Sequence, residues 1–321
     1  MKNYITPIVN SKIKSDKYHL YIKRDDLLPF SFGGNKVRIA EEYFEDMKIK
    51  GKDCIIGYGN NRSNLCRVLA NMCYSRNQKR CVIVSPADED GQRQLTYNNG
   101  IIKSSKAIIK TCEKTNVSET IDEVIKECQL LGYKPYYIYG DIYGNGNEAV
   151  PVKAYTKVYQ EIKKQEKEMN IKFDYIFCAT GTGMTQAGLI AGQIENNGNE
   201  QIIGISIARS KDHAVPILKK YLSSYLSYKD VTQFDFENRI DLIDNYIMGG
   251  YGEFNKEILN TIREEFLRDG IPLDPTYTGK AFLGMLDYLS KRNKQNTKFN
   301  VLFIHTGGTP LFFDNFNNIF T

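Results

Sequence analysis

Short apolar runs alternate along the chain with longer amphipathic stretches. DCIIGY (53–58) precedes SNLCRVLANMCY (63–74), KRCVIVS (79–85) precedes GQRQLTYNNG (91–100), and KAIIK (106–110) precedes SETIDEVIKECQLLG (118–132). YIYG (137–140) then precedes AVPVKAYTKVYQEIKKQEKEM (149–169). The rhythm resumes with FDYIFCAT before MTQAGLIAGQIENN, then QIIGISIA before AVPILKKYLSSYL, and ends on NVLFIHT (300–306). Strand–helix alternation of this kind predicts an α/β protein with open, twisted, mostly parallel sheets flanked by helices.

At 321 residues the chain exceeds what one core usually holds, roughly 250 to 300 residues, so two domains are expected. With 41% apolar and 25% charged residues it has the composition of a globular protein. The net charge of +5 is spread without a basic block, which excludes a nucleic-acid footprint and leaves room for a small anionic ligand. Seven scattered cysteines without close pairs exclude a disulfide framework or a zinc site, so no metal is expected. No run reaches a membrane span, no signal-peptide core opens the chain, and the cytoplasm is the expected location.

Ligands of parallel sheets bind beyond the carboxyl ends of the strands. Four loops there are unusual: GYGNNRSN (57–64), CATGTGMTQAG (178–188), LDPTYTGK (273–280) and IHTGG (304–308). CATGTGMTQAG opens a helix with free amides and the hydroxyls of Thr182 and Thr185, a ready phosphate cradle or simply a turn with close helix–strand packing. A dinucleotide site lacks its acidic residue after QIIGISIAR, and a Walker loop lacks its lysine, since Leu189 stands there. That leaves a small phosphate ester. Ser63 and Asn64 read both as a helix cap and as a carboxylate-holding pair. His305 sits in an apolar run and reads as a core residue. In SFGGNKVR (31–38) two glycines and an asparagine deliver Lys36 to the mouth of a helix.

Taken in order, KRDDL, GGNKxR, SNxxR, TGxGxTQAG, GGYG, DPTYTGKA and HTGG resemble the D-cysteine desulfhydrases and 1-aminocyclopropane-1-carboxylate deaminases, pyridoxal-phosphate enzymes of fold type II with the tryptophan synthase β-subunit fold. The likeness runs from about residue 21 to the HTGG loop. It implies pyridoxal 5'-phosphate as cofactor and Lys36 as its Schiff-base lysine and proton carrier, with Asn35 beside it. Thr182, Gly183, Met184 and Thr185 would surround the cofactor phosphate, and Thr306 and Thr278 would lie near the ring nitrogen. Ser63 and Asn64 would meet the substrate carboxylate and the ring side of the cofactor, and Tyr251 and Tyr277 would be the two active-site tyrosines.

The likeness also implies a reaction: β-elimination of a small amino acid, most like D-cysteine giving pyruvate, ammonia and sulfide. The cyclopropane deaminases carry an acid where this chain has Thr278, which favours the desulfhydrase branch. Ring opening, another lyase activity on D-amino acids, β-replacement, racemisation and a non-catalytic cofactor-binding role are the alternatives. Where relatives commonly show QSNH or QSNQ, this chain has Arg62, Ser63, Asn64 and Leu65, so Arg62 is read as selecting a substrate with a second anionic group. YGDIYGNGNEA (139–149) also departs from the family pattern. The expected organisation is a larger cofactor domain from residues 1–45 and 150–321, a smaller α/β domain from 46–149, the active site in the cleft between them, and a homodimer.

Overall fold

The alternating pattern resolves into two sheets in a computed structural model, which describes residues 4–86, 96–228, 236–292 and 297–321. In chain order the strands are β1 (Ile8–Asn10), β2 (Tyr18–Arg24), β3 (Cys54–Tyr58), β4 (Arg80–Pro86), β5 (Ile108–Cys112), β6 (Pro135–Tyr137), β7 (Tyr175–Thr180), β8 (Gln201–Ser206), β9 (Asp241–Ile243) and β10 (Phe299–His305). The helices are α1 (Asn35–Ile49), α2 (Asn64–Ser75), α3 (Tyr97–Ser104), α4 (Val117–Leu130), α5 (Ala149–Met169), α6 (Met184–Glu195), α7 (Lys211–Tyr228), α8 (Lys256–Asp269), α9 (Thr278–Ser290), α10 (Thr309–Asp314) and α11 (Phe316–Phe320). The first half of the stretch GQRQLTYNNG, 91–95, lies outside the described residues.

The chain separates into a larger unit, Met1–Asn35 with Val152–Thr321, and a smaller one, Lys36–Pro151. The larger holds a six-stranded sheet in the order β1-β2-β10-β7-β8-β9, in which only the β1–β2 pair is antiparallel. The smaller holds a parallel sheet in the order β5-β4-β3-β6.

Burial on both faces explains why the strands read as continuous apolar runs: all six residues of β7 are buried. On the larger sheet one core gathers Ile22, Phe177, Ile205, Phe282 and Phe303. Against the other part of the unit, α6 is buried along nearly its whole length, and Gly188 and Gly192 let α5 approach closely. A Cβ at Gly188 would lie 2.4 Å from the Cβ of Tyr155. In the smaller unit α1 is tied to the sheet by Tyr136, whose hydroxyl donates to Asp46 at 2.7 Å.

β2 departs from the pattern. Its end is charged, yet it is an inner strand between β1 and β10 with Lys23 wholly buried. Lys23 Nζ donates to the carbonyl of Thr6 at 2.7 Å, to Gln165 at 2.7 Å and to the carboxylate of Glu161. Asp25, equally buried, accepts from Thr6 Oγ1 at 2.7 Å and from Tyr155 hydroxyl at 2.6 Å. Charges this deep persist only when paired and hydrogen-bonded.

Candidate active site

Strand order and register place four loops at one edge of the larger sheet. Arg24 pairs with His305, Ile304 with Cys178, and Thr180 with Ser206, so β2, β10, β7 and β8 end side by side. The segments leaving those ends are GGN, HTGG, TGTG and 207–210. In a parallel sheet this carboxyl edge is where ligands bind.

The first two loops touch through their glycines. Gly34 and Gly307 have φ of 94° and 93°, open to glycine and strained for other residues. A Cβ on Gly307 would lie 2.5 Å from Gly34 Cα, and one on Gly34 would lie 2.7 Å from the carbonyl oxygen of Thr306. Gly34 N–H donates to Asp25 O at 2.8 Å and Asn35 N–H donates to Thr306 O at 3.0 Å. The backbone of the KRDDL stretch, held in place by its buried charges, thus contacts the loop that precedes Lys36. His305 is buried, its Nδ1 accepting from Gly307 N–H at 3.1 Å and lying 3.8 Å from Asp26. It shapes the HTGG turn.

Lys36 is the second residue of α1. Burial lowers its pKa from 10.5 to about 8, which raises the share of free amine at neutral pH. Its neighbour Asn35 donates from Nδ2 to Thr185 Oγ1 at 2.9 Å, which joins the GGN loop to the glycine loop after β7.

That glycine loop has the geometry an anion cradle needs. Gly183, at φ 91°, turns the chain into α6, whose first amides have no partner within the helix and whose dipole favours negative charge. Met184 and Thr185 are buried behind it, while Thr182 and Gly181 keep partial exposure. Gln186, also buried, fixes the helix by accepting from Thr180 Oγ1 at 2.9 Å and donating to Asp241 O at 2.6 Å. Arg209 Nη1 donates to Gly181 O at 2.6 Å. An amine of lowered pKa, one residue from an asparagine bonded to a phosphate-type cradle, fits the aldehyde and phosphate of pyridoxal phosphate.

The tyrosines meet at hydrogen-bond distance. Tyr251 and Tyr277 hydroxyls are 2.6 Å apart, with rings edge to face at 5.8 Å. A Cβ on Gly181 would come within 3.8 Å of the Tyr277 ring, so Tyr277 lies against the glycine loop. Thr278, fully buried, donates to Asp274 Oδ2 at 2.8 Å and accepts from Asp274 N–H at 2.8 Å. Asp274 also accepts the amides of Thr276, Tyr277 and Thr278 at 2.8 to 3.1 Å, and burial raises its pKa against the pull of those bonds.

The remaining expected residues lie together in the smaller unit. Ser63 caps α2, its Oγ accepting from Cys66 N–H at 3.2 Å, which leaves the hydroxyl proton for an acceptor. Asn64 Oδ1 accepts from Asn98 Nδ2 at 3.0 Å and, longer, from Arg67 at 3.4 Å. Asn98 also donates to Arg62 O at 2.8 Å. Leu65 is buried and Arg62 is half-buried.

Three features escaped the reading of the sequence. One is the KRDDL network, whose signal is a charge run placed between an apolar strand and a glycine loop. Another is Arg209, which the residue pattern does not single out. The third is Lys280, the lysine of DPTYTGK, wholly buried with three carbonyl partners. Among the described residues no helix is long and apolar enough to cross a membrane.

A family model described as "Pyridoxal-phosphate dependent enzyme" matches residues 1–307. A Pyrococcus furiosus protein, provisionally named a 1-aminocyclopropane-1-carboxylate deaminase, is 32% identical over 90% of this chain and 84% of its own length. A D-cysteine desulfhydrase of Yersinia pestis (strain Pestoides F) is 30% identical over 92% of this chain and 88% of its own. The crystal structure of an ACC deaminase homologue superposes with a TM-score of 0.86 at 29% identity, covering 99% of this chain and 94% of the other. The sheets are those of fold type II pyridoxal-phosphate enzymes, and a lyase dependent on that cofactor is what the motifs implied. Family model and relatives converge: the chain belongs to the pyridoxal-phosphate-dependent enzymes, in the group of D-cysteine desulfhydrases and 1-aminocyclopropane-1-carboxylate deaminases.

Proposed function

We propose that the protein eliminates the β-substituent of a small D-amino acid, with D-cysteine as the leading substrate and pyruvate, ammonia and sulfide as products. Relatives of similar identity carry both family names, so they do not choose between the branches. The observation that carries the reading is Thr278: a neutral hydroxyl, tied to Asp274, follows Tyr277 where the ring-opening branch has an acid. The four donors on Asp274 occupy that carboxylate as well, so this turn offers no acidic group to keep a pyridine nitrogen protonated.

When bound, pyridoxal phosphate supplies an electron sink that makes the Cα proton of an amino acid removable. Lys36 first holds the cofactor and then, released as a free amine, takes that proton; burial, which lowers its pKa to about 8, enlarges the share of free amine near neutral pH. Ser63 and Asn64 bind the substrate carboxylate. Tyr251 and Tyr277, sharing a short hydrogen bond, protonate the departing thiolate. Water then completes the balance, D-cysteine and water giving pyruvate, ammonia and hydrogen sulfide. Among other β-substituted D-amino acids Arg62 favours those that carry a second anionic group, and the enzyme works as a cytoplasmic homodimer.

The test is a visible spectrum of the purified protein with and without D-cysteine, beside Lys36→Ala, with sulfide and pyruvate assayed. A band that requires Lys36 and changes with D-cysteine as both products form is expected. A band that D-cysteine leaves unchanged, without sulfide, overturns the substrate; ring opening of the cyclopropane amino acid in its place moves the protein to the other branch. Arg62→Gln run through the same assay is expected to flatten the preference among substrates, and an unchanged profile removes Arg62 from the reading.

A further inference from the structure

Helix α9 supports both tyrosines, by different means. Tyr277 is the residue that caps it, with φ −120° and ψ −72°. Tyr251 belongs to the loop 246–252, which one face of α9 holds through Lys280, Gly284 and Asp287, spaced as neighbours along a helix. At the start of the loop, Tyr246 hydroxyl donates to Asp287 Oδ2 at 2.6 Å. Gly284 makes room for the Tyr246 ring, since a Cβ there would lie 2.9 Å from Cδ2.

The middle of the loop rests on Lys280. Its Nζ donates to the carbonyls of Ile247 at 2.9 Å and Gly250 at 3.0 Å, and to Ile207, just beyond β8, at 2.8 Å. Three acceptors match the three hydrogens of an ammonium, whereas a neutral amine would leave one carbonyl without a donor. The loop needs such support. Met248 has φ 53°, a left-handed conformation unfavourable for a side-chain-bearing residue, and Gly249 and Gly252 follow at 94° and 87°. Tyr251 comes directly after the last carbonyl that Lys280 holds.

We propose that Lys280 is the positioning residue of the tyrosine pair: it clamps the 247–250 backbone to the end of β8, so that the Tyr251 hydroxyl reaches that of Tyr277. The proposal deepens the elimination reading, in which this pair delivers the proton to the leaving group.

The experiment compares holoenzyme and its Lys280→Met variant in two independent ways. By hydrogen exchange, amides of 247–252 are expected to exchange at least about tenfold faster in the variant while those of α9 stay within about twofold. By kinetics with D-cysteine, kcat is expected to fall roughly 30-fold with KM nearly unchanged and the visible cofactor band retained. Tyr251→Phe is expected to cost about tenfold or more alone and less than about threefold on top of Lys280→Met, because the clamp acts through that hydroxyl. Unchanged exchange at 247–252, equal acceleration across α9, or a full Tyr251→Phe loss in the variant overturns the proposal. If the wild type releases no sulfide from D-cysteine the substrate reading fails, and the exchange measurement still decides the clamp. Lys280→Gln, which keeps a donor, takes the same tests if Lys280→Met is not recovered folded.

Discussion

The hydrogen bond from Asn35 Nδ2 to Thr185 Oγ1 offers the sharpest check on how the cofactor site is assembled. The residues are 8% and 4% exposed, so water does not replace a lost partner. Truncating either side leaves its former partner buried and unsatisfied, a cost of ~1–2 kcal/mol, in the lower part of the range for such groups. Thr185 lies in the first turn of α6, so misplacing it spoils the phosphate cradle and the loss falls on cofactor affinity. At ~1.4 kcal/mol per tenfold, Asn35→Ala and Thr185→Val should each raise the Kd for pyridoxal phosphate by roughly 5- to 30-fold. The double variant should be within about twofold of the weaker single, because the bond can be lost only once. The assay is an equilibrium titration of cofactor-free protein followed by visible absorbance. Pyridoxal, which lacks the phosphate, serves as the control and should lose less than about twofold in affinity, since its binding does not use the cradle. Additive losses within ~0.5 kcal/mol, or an equal effect on pyridoxal, would refute the reasoning.

Capture of the cofactor aldehyde by the cofactor-free protein should speed up with pH and level off above about 8, since burial lowers Lys36 from 10.5 to about 8; a rate still climbing at pH 10 contradicts this. Between those values the unfolded chain binds more protons at this lysine than the folded one, so its contribution to stability rises with pH across that window, and its penalty is complete below about 8. Lys23→Met removes the buried cation from Glu161 and should destabilise by ~3–5 kcal/mol in urea unfolding, with Lys23→Met combined with Glu161→Gln recovering much of the loss. A single-variant cost under ~1 kcal/mol would show that the KRDDL network does not support the loop before Lys36.

Much of the protein was legible in the order of its residues. Apolar runs such as FDYIFCAT and NVLFIHT became β7 and β10 because a strand covered on both faces needs an unbroken apolar sequence. AVPVKAYTKVYQEIKKQEKEM became α5 with the same limits, a helix whose periodic apolar face is a local property. Glycines at 34, 183 and 307 mark turns through left-handed φ, which local chemistry also decides.

Tertiary structure alone decided which of these pieces meet. The strand order β2-β10-β7-β8 joins segments far apart in the chain, and it brings GGN to HTGG and Asn35 to Thr185. The charged end of β2 looks like surface until Glu161, Gln165 and Thr6 arrive to pair it. Lys280 likewise reads as an ordinary lysine, and becomes a clamp only where three distant carbonyls converge on it. Periodicity and turn chemistry act over a few residues and are written in sequence. The partners that make a buried charge tolerable are set by packing, so their identity appears only once the chain has folded.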